Sequence, residues 1–127
     1  MKTADLNNTP TTVDTGNDSI VIVNYLEGII GGRTLDATGF TPAVIQAGHV
    51  VIKETATGDF KPMPINGAAY AALPAGHTIE GIVVASVLTS KPFVGILVRG
   101  TVNKEACPYP ITDAVKTALP LVRFIQD

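Results

Sequence analysis

The stretch that decides the fold is residues 78–102, which read TIEGIVVASVLTSKPFVGILVRGTV. Two long apolar runs, 78–88 and 93–102, flank the short turn segment 89–92. A strand with one wet face alternates apolar and polar residues, whereas a strand covered on both faces is apolar throughout. In each run, the residues that would point to one face of the strand and those that would point to the other are both largely apolar. We therefore predict two central strands joined by a hairpin loop, covered by the domain itself or by a second subunit.

A second hairpin is predicted upstream of these strands. The segments 50–54 and 60–65 flank a five-residue loop in which Gly58 supplies a positive φ. Pro62 and Pro64 remove N–H donors from one side of the second segment. A strand that lacks these donors cannot pair on that side, so we expect it at a sheet edge.

The remaining patterns complete a mainly β domain. A β-branched run at 20–25 and a closing run at 121–125 predict further strands. Thr112 is a candidate N-cap for one short C-terminal helix over 114–118. With about seven strands and this helix, residues 19–127 are expected to form a single small β-barrel or sandwich-like (β-tulip-like) domain.

Residues 1–18 differ in composition from the rest of the chain. They are almost wholly small and polar, and they cannot bury enough apolar area to offset their ordering entropy. One interpretation is a frayed terminus, and the other is an extended arm that orders on a partner. For the second interpretation we nominate Leu6, Pro10 and Val13 as the contact residues.

Composition narrows the function classes. The 127 residues are 46% hydrophobic and 16% charged, against about 25% charged in typical soluble domains. A surface this poor in charge hints at subunit contacts. A net charge of -2 offers no field that attracts nucleic acid or an anionic membrane. No apolar run reaches membrane-spanning length, and no secretory signal opens the chain, so we expect synthesis in a cytoplasm.

Candidate catalytic residues are few. His49 and His77 each follow an Ala-Gly pair. They could be paired metal ligands or an acid and a base, but no third ligand lies at motif spacing, and a repeated turn that leads into a strand is favoured. Cys107 has no helix N-terminus after it to lower its pKa, so a small buried thiol is expected rather than a nucleophile. We predict no catalytic, cofactor or metal residue.

Charged and glycine-rich segments add little chemistry. The glycine-rich segment 28–33 lacks the Lys-Ser/Thr ending of a phosphate loop. Glu54 and Asp59 flank a hairpin loop and are expected to be solvated. Arg99 lies within the most apolar strand, where a charge needs a partner, so we expect an ion pair within the chain or across a subunit boundary. Together with Phe93 and Leu97, it is our candidate for a subunit interface.

Several phrases of this sequence resemble a known family. A polar N-terminal segment leads into Ala-Gly-His-Val-Val-Ile-Lys at 47–53, and Gly-Asp-Phe-Lys-Pro follows at 58–62. The strand phrases at 80–87 and 91–102 come next, and Tyr109-Pro110 precedes the short helix. This layout resembles tailed-phage head decoration and head fibre proteins, including those of phages of gut Bacteroidales and the lambda-type decoration protein.

The resemblance implies a non-catalytic structural virion protein without a cofactor. It implies a homotrimer on the capsid exterior, held to the major capsid protein by the N-terminal arm, with no nucleic acid and no membrane as partner. Two alternatives from other classes stay open. One is a carbohydrate- or surface-binding adhesin module, although the chain has no Trp and only three Tyr from which to build a stacking platform. The other is a small enzyme that uses Cys107 with a histidine.

Overall fold

A computed structural model of the chain describes residue 16 and residues 18–125. Two short helices, α1 (Asp18–Val21) and α2 (Asp113–Ala118), and a 3-10 turn at Lys104–Ala106 accompany twelve strands in the described part of the chain. The strands are β1 (Ile22–Gly28), β2 (Arg33–Thr34), β3 (Val44–Ile45), β4 (Val50–Glu54), β5 (Phe60–Pro62), β6 (Ile65–Asn66), β7 (Ala69–Tyr70), β8 (His77–Val83), β9 (Val87–Leu88), β10 (Phe93–Val94), β11 (Ile96–Asn103) and β12 (Val122–Ile125). The mainly β prediction is confirmed, with two helices where one was expected.

One large sheet organises the domain. Its strands lie in the order β1-β11-β8-β4-β5 with antiparallel neighbours, and β12 joins β11 in parallel. The pairs β2–β10, β3–β9 and β6–β7 form three two-stranded sheets. The large sheet is open, with β1 at one edge and β5 at the other, so it is not a closed barrel. The edge position of β5 and the central positions of β8 and β11 agree with the sequence prediction.

Apolar residues cover the central strands on both faces of the sheet. Adjacent residues of a strand point to opposite faces. Ile96 and Leu97 of β11 are both fully buried, and they belong to two separate core clusters. Ile82 and Val83 of β8 divide between the same two clusters. The sequence did not show whether this domain or a second subunit covers the two central strands. The structure shows that the domain itself covers both of their faces.

The two long apolar runs are each interrupted. In the first, β8 ends at Val83 and β9 begins at Val87; the chain bends at Val84 and Ala85, just before Ser86, which bonds to Asp18. In the second, Gly95 separates β10 from β11. β9 then pairs with β3 and β10 pairs with β2, in small sheets outside the large one. Length and apolarity predicted the runs but not the breaks within them.

Local turn and cap signals are accurate. The Val115 amide donates to the Thr112 hydroxyl over 3.4 Å, which makes Thr112 the N-cap of α2 as predicted. Gly58 has a φ of +77° in the loop between β4 and β5, where a side chain would be strained. α1 begins at Asp18, one residue before the predicted domain start at residue 19. Because α1 extends to Val21, β1 starts at Ile22 rather than at residue 20.

Candidate functional site

The edge strand β1 exposes an apolar surface. Ile20 of α1 and Val23, Tyr25 and Leu26 of β1 are 50%, 46%, 53% and 58% exposed. We call these four residues the β1 strip. Glu27 is the only charged residue in β1. A long apolar edge strand that stays in water is an association or aggregation site, so this surface needs a partner.

Two of the three irregularities in the pairing of β1 with β11 lie within the strip. Asn24 pairs with Thr101 and Tyr25 with Gly100, while Val23 and Leu26 fall where the register with β11 shifts. Residues at such bulges are left unpaired, and the strand twists more strongly around them. Val23 and Leu26 therefore have no opposite residue on β11.

Tyr25 lies along its own strand over Gly28. A Cβ atom on Gly28 would overlap the Tyr25 hydroxyl and would also lie 2.7 Å from the Ile96 carbonyl oxygen. Only glycine leaves this space free, since real Cβ atoms do not approach so closely. Gly28 thus leaves room for the hydroxyl end of the Tyr25 ring.

An apolar groove lies elsewhere on the domain, between α2, the start of β8 and the segment that follows β7. We call it the α2 groove. Its volume is about 620 Å³, and none of the described residues that line it is Asp, Glu, Lys or Arg. Small side chains hold it open, among them Ala71, Ala72, Ala114 and Ala118. Its walls include Ile79 and Leu73, and Leu73 is 40% exposed.

His49 is buried within a cluster of aromatic rings. Its ring meets Phe40, Tyr70 and Tyr109 edge-on, at centroid distances of 5.3, 5.3 and 5.5 Å. Its Nε2 lies 2.9 Å from the Met63 carbonyl oxygen, which can only accept, so Nε2 carries the hydrogen. Burial lowers the pKa of His49 to about 4. His49 is therefore a neutral structural group that ties β4 to the chain after β5.

His77 has different partners. Its Nδ1 lies 2.9 Å from the Ala75 carbonyl oxygen, and its Nε2 lies 3.4 Å from Lys61 Nζ. Lys61 also forms an ion pair of 3.0 Å with Glu54 Oε2, and this hydrogen bond holds the pKa of Glu54 below its usual range. Glu54 was expected to be solvated; its side chain is 30% exposed, and it also pairs with Lys61, which β5 brings next to it across the hairpin.

The histidines share no described contact, and both sit at turns that enter strands. Gly48 and Gly76, which precede them, have φ values of +91° and +75°. This agrees with the interpretation of a turn that leads into a strand. Among residues 16 and 18–125, no group of three His, Cys, Asp or Glu residues is placed to hold a metal ion.

Cys107 is a partly buried thiol. Its Sγ donates to the Asn103 carbonyl oxygen at 3.5 Å, and burial raises its pKa to about 12. A thiol with so high a pKa is protonated at neutral pH and is a poor nucleophile. This environment matches the small buried thiol expected from the sequence.

The predicted interface residues have three different outcomes. Leu97 is fully buried in a core cluster of its own domain, so its assignment to a subunit interface is wrong. Arg99 is exposed opposite Glu27, and no ion pair with a described residue accompanies it. The ion pair within the chain that we expected is therefore absent among the described residues, and one across a subunit boundary stays a prediction. Phe93 is 60% exposed on β10 and stays a candidate.

The predicted capsid-contact residues, Leu6, Pro10 and Val13, lie outside the described residues. Most of the predicted arm does as well. Asp18, which the sequence prediction placed in the arm, is held by the domain through its bonds to Ser86.

Comparison with known proteins adds no identification. No family model, curated protein or solved structure matches this chain. Within the described ranges, no helix has both the length and the apolar character needed to cross a bilayer.

Proposed function

We propose that this chain is a structural protein that associates with copies of itself and decorates a tailed-phage capsid. The observation that carries the proposal is the β1 strip, an apolar edge surface of a kind that stable monomers avoid. A structural protein of a virion buries such a surface in subunit contacts. The low charge content of the chain is consistent with this role.

The capsid part of the proposal rests on the sequence phrases shared with head decoration and head fibre proteins. In this role three copies would surround a three-fold or quasi-three-fold position on the outer surface of the shell. The segment before Asp18 would bind the major capsid protein, and three such segments on one trimer would multiply a weak individual contact.

The adhesin alternative has less support from the geometry. Sugar binding commonly uses exposed aromatic faces. Tyr70 and Tyr109 pack instead against the buried His49 ring. Tyr25 remains, and its ring lies along the apolar strip beside Gly28.

The proposal is tested by co-sedimentation. The purified chain is mixed with empty heads assembled from the major capsid protein that the same genome encodes. We expect the chain to pellet with the heads at a saturable ratio, and its mass in solution to be that of three chains. A chain that stays in the supernatant at all concentrations would contradict the proposed function.

A further inference from the structure

We propose that Asn66 is a site of spontaneous covalent modification. Its side-chain amide is lost as ammonia when the Gly67 nitrogen attacks it, and water converts the resulting succinimide to aspartate or isoaspartate. The chain contains six asparagines, and Asn66 is the one that a glycine follows. Because glycine has no Cβ to hinder approach to its nitrogen, an Asn-Gly pair favours this ring closure. The inference is independent of the proposed function.

Asn66 lies at the tip of an exposed hairpin. Its partner in the β6–β7 ladder is Ala69, so Gly67 and Ala68 form a two-residue loop. Gly67 has a φ of +65°, whereas no described residue other than glycine has a positive φ, and this combination makes the loop a type II′ turn. Residues 66–69 are all exposed.

The reacting groups are free of hydrogen bonds to the described part of the chain. Neither the Asn66 carboxamide nor the Gly67 N–H has a partner there. A Cβ atom placed on Gly67 would meet nothing within 4 Å, so the turn projects into open space. By contrast, the Asn103 side chain is buried and accepts from the Glu105 amide over 3.1 Å. At Asn66, no side-chain bond has to break before the ring closes.

Ring closure requires the Asn66 backbone to leave its extended strand conformation, so that the Gly67 nitrogen can reach Cγ. The hairpin can supply this motion, because β6 and β7 have two residues each and pair only with each other in the described sheets. An isolated two-stranded hairpin is marginally stable in water, and such segments open locally at low free-energy cost. The attack therefore takes place in an opened hairpin tip while the rest of the domain stays folded.

The reaction needs only water as a co-reactant. The Gly67 nitrogen bonds to the Asn66 Cγ and loses its proton, the bond between Cγ and the amide nitrogen breaks, and ammonia leaves. One water molecule then opens the succinimide at either carbonyl. One opening gives aspartate. The other gives isoaspartate, in which the main chain runs through Cβ and Cγ and is one methylene longer.

The longer main chain of isoaspartate should disturb Tyr70. Tyr70 pairs with Ile65, the residue before Asn66. Its hydroxyl accepts from the Val50 amide over 3.0 Å, and its ring meets the buried His49 ring at a centroid distance of 5.3 Å. Turn length and geometry set the register of a hairpin, so an added methylene at the turn displaces Tyr70 from these contacts. Aspartate adds only a charge at an exposed position and leaves them intact.

Peptide mapping tests the modification. The folded chain is incubated at pH 7 and at pH 9 and then briefly digested with chymotrypsin. Peptide 61–70, which contains one asparagine and no glutamine, is weighed by mass spectrometry. We expect the mass increase of an amide replaced by a carboxyl group, faster at pH 9 because the deprotonated amide nitrogen attacks. Asn24 is the internal control, since it is also exposed in a strand but precedes Tyr25, and it should change far more slowly.

Two results would overturn the inference. One is modification of Asn66 only after the chain is unfolded in urea, since the folded hairpin would then protect it. The other is equal rates at Asn66 and Asn24. Asn66→Gln should remove the mass increase from peptide 61–70, and an increase that persists in this variant would place the reaction at another residue.

The effect on Tyr70 is measured on the aged chain, separated from the unmodified chain by its added charge. A methyltransferase specific for isoaspartate gives its isoaspartate content. We expect the isoaspartate-rich fraction to melt several degrees below the Asn66→Asp variant, and Asn66→Asp to melt like the unaltered chain. Equal melting temperatures for the aged fraction and Asn66→Asp would contradict the displacement of Tyr70.

Discussion

Asp18 and Ser86, 68 positions apart in the sequence, are joined by two hydrogen bonds. The Asp18 carboxylate accepts from the Ser86 amide over 2.9 Å and from the Ser86 hydroxyl over 2.7 Å. The Ser86 Oγ accepts in turn from the Ala47 amide over 3.0 Å. This chain of bonds fixes the start of α1 against the segment between β8 and β9.

Removal of this carboxylate should destabilise the fold. We expect Asp18→Ala to lower the free energy of unfolding by about 2 kcal/mol, because hydrogen bonds to a charged group contribute about 1.5–3 kcal/mol. Urea unfolding measures the change. Asp113→Ala is the matched control, since Asp113 also begins a helix without such a distant partner, and it should cost less than about 1 kcal/mol. Equal losses in the two variants would contradict this role for Asp18.

Truncations on either side of Asp18 should behave differently. Deletion of residues 1–15 keeps the bonds to Ser86, so we expect a melting temperature close to that of the full chain. Deletion of residues 1–18 removes them and should lower the melting temperature by several degrees, in line with about 2 kcal/mol for a domain of this size. Differential scanning calorimetry measures both. If both deletions melted like the full chain, the Asp18 anchor would be unimportant.

The shorter deletion also tests the arm. It should greatly weaken head binding while the chain stays folded, because the proposed capsid contact lies before Asp18. A truncated chain that decorates heads as well as the full chain would show that the contact lies elsewhere, and the domain surface would then be the place to search.

His49 should make the fold sensitive to acid. Its pKa is about 4 in the folded chain and about 6.5 when unfolded. Below pH 6.5 the unfolded state therefore binds the proton first, and stability falls as the pH drops towards 4, by about 3 kcal/mol in total. The unfolding free energy of His49→Gln should not show this fall with pH, although it should be lower than that of the unaltered chain at pH 7. Urea unfolding at pH 7, 5.5 and 4 gives the change of unfolding free energy with pH for the variant and for the unaltered chain. A variant with the same slope as the unaltered chain would contradict the assignment, and His77→Gln serves as the control.

Gly81 permits the close approach of β8 and β11. A Cβ atom there would lie 2.6 Å from the Leu97 carbonyl oxygen, which is backbone and cannot easily move. We expect Gly81→Ala to cost about 1–3 kcal/mol in unfolding free energy, as overpacking typically does. In Gly95→Ala the new atom would meet Val84 at an ordinary 3.6 Å, so this control should be nearly neutral. If Gly81→Ala and Gly95→Ala lost similar amounts of unfolding free energy, the close contact at Gly81 would not limit the spacing of β8 and β11.

Signals read over a few residues predicted the fold well. The prolines at 62 and 64 placed β5 at an edge, and Thr112 capped the helix. The apolar runs placed β8 and β11 at the centre. These features depend on donors, caps and alternation that a short segment carries by itself.

Features that depend on distant contacts were missed. Ser86, just after the bend between β8 and β9, bonds to Asp18. Glu54 pairs with Lys61 across the hairpin, and Arg99 is exposed next to a register shift between β1 and β11. The run at 20–25 predicted a strand, but nothing local showed that it lies at an edge with its apolar residues exposed. The α2 groove combines three separated segments, and no pattern within any one of them indicates it.

The measurement that tests the central claim most directly is cryo-electron microscopy of empty heads, imaged with and without the added chain. The heads are those assembled from the major capsid protein of the same genome. The proposed function predicts additional density, three copies of this β domain at each three-fold or quasi-three-fold position, on the outer surface. Heads that look identical with and without a saturating amount of the chain would contradict it.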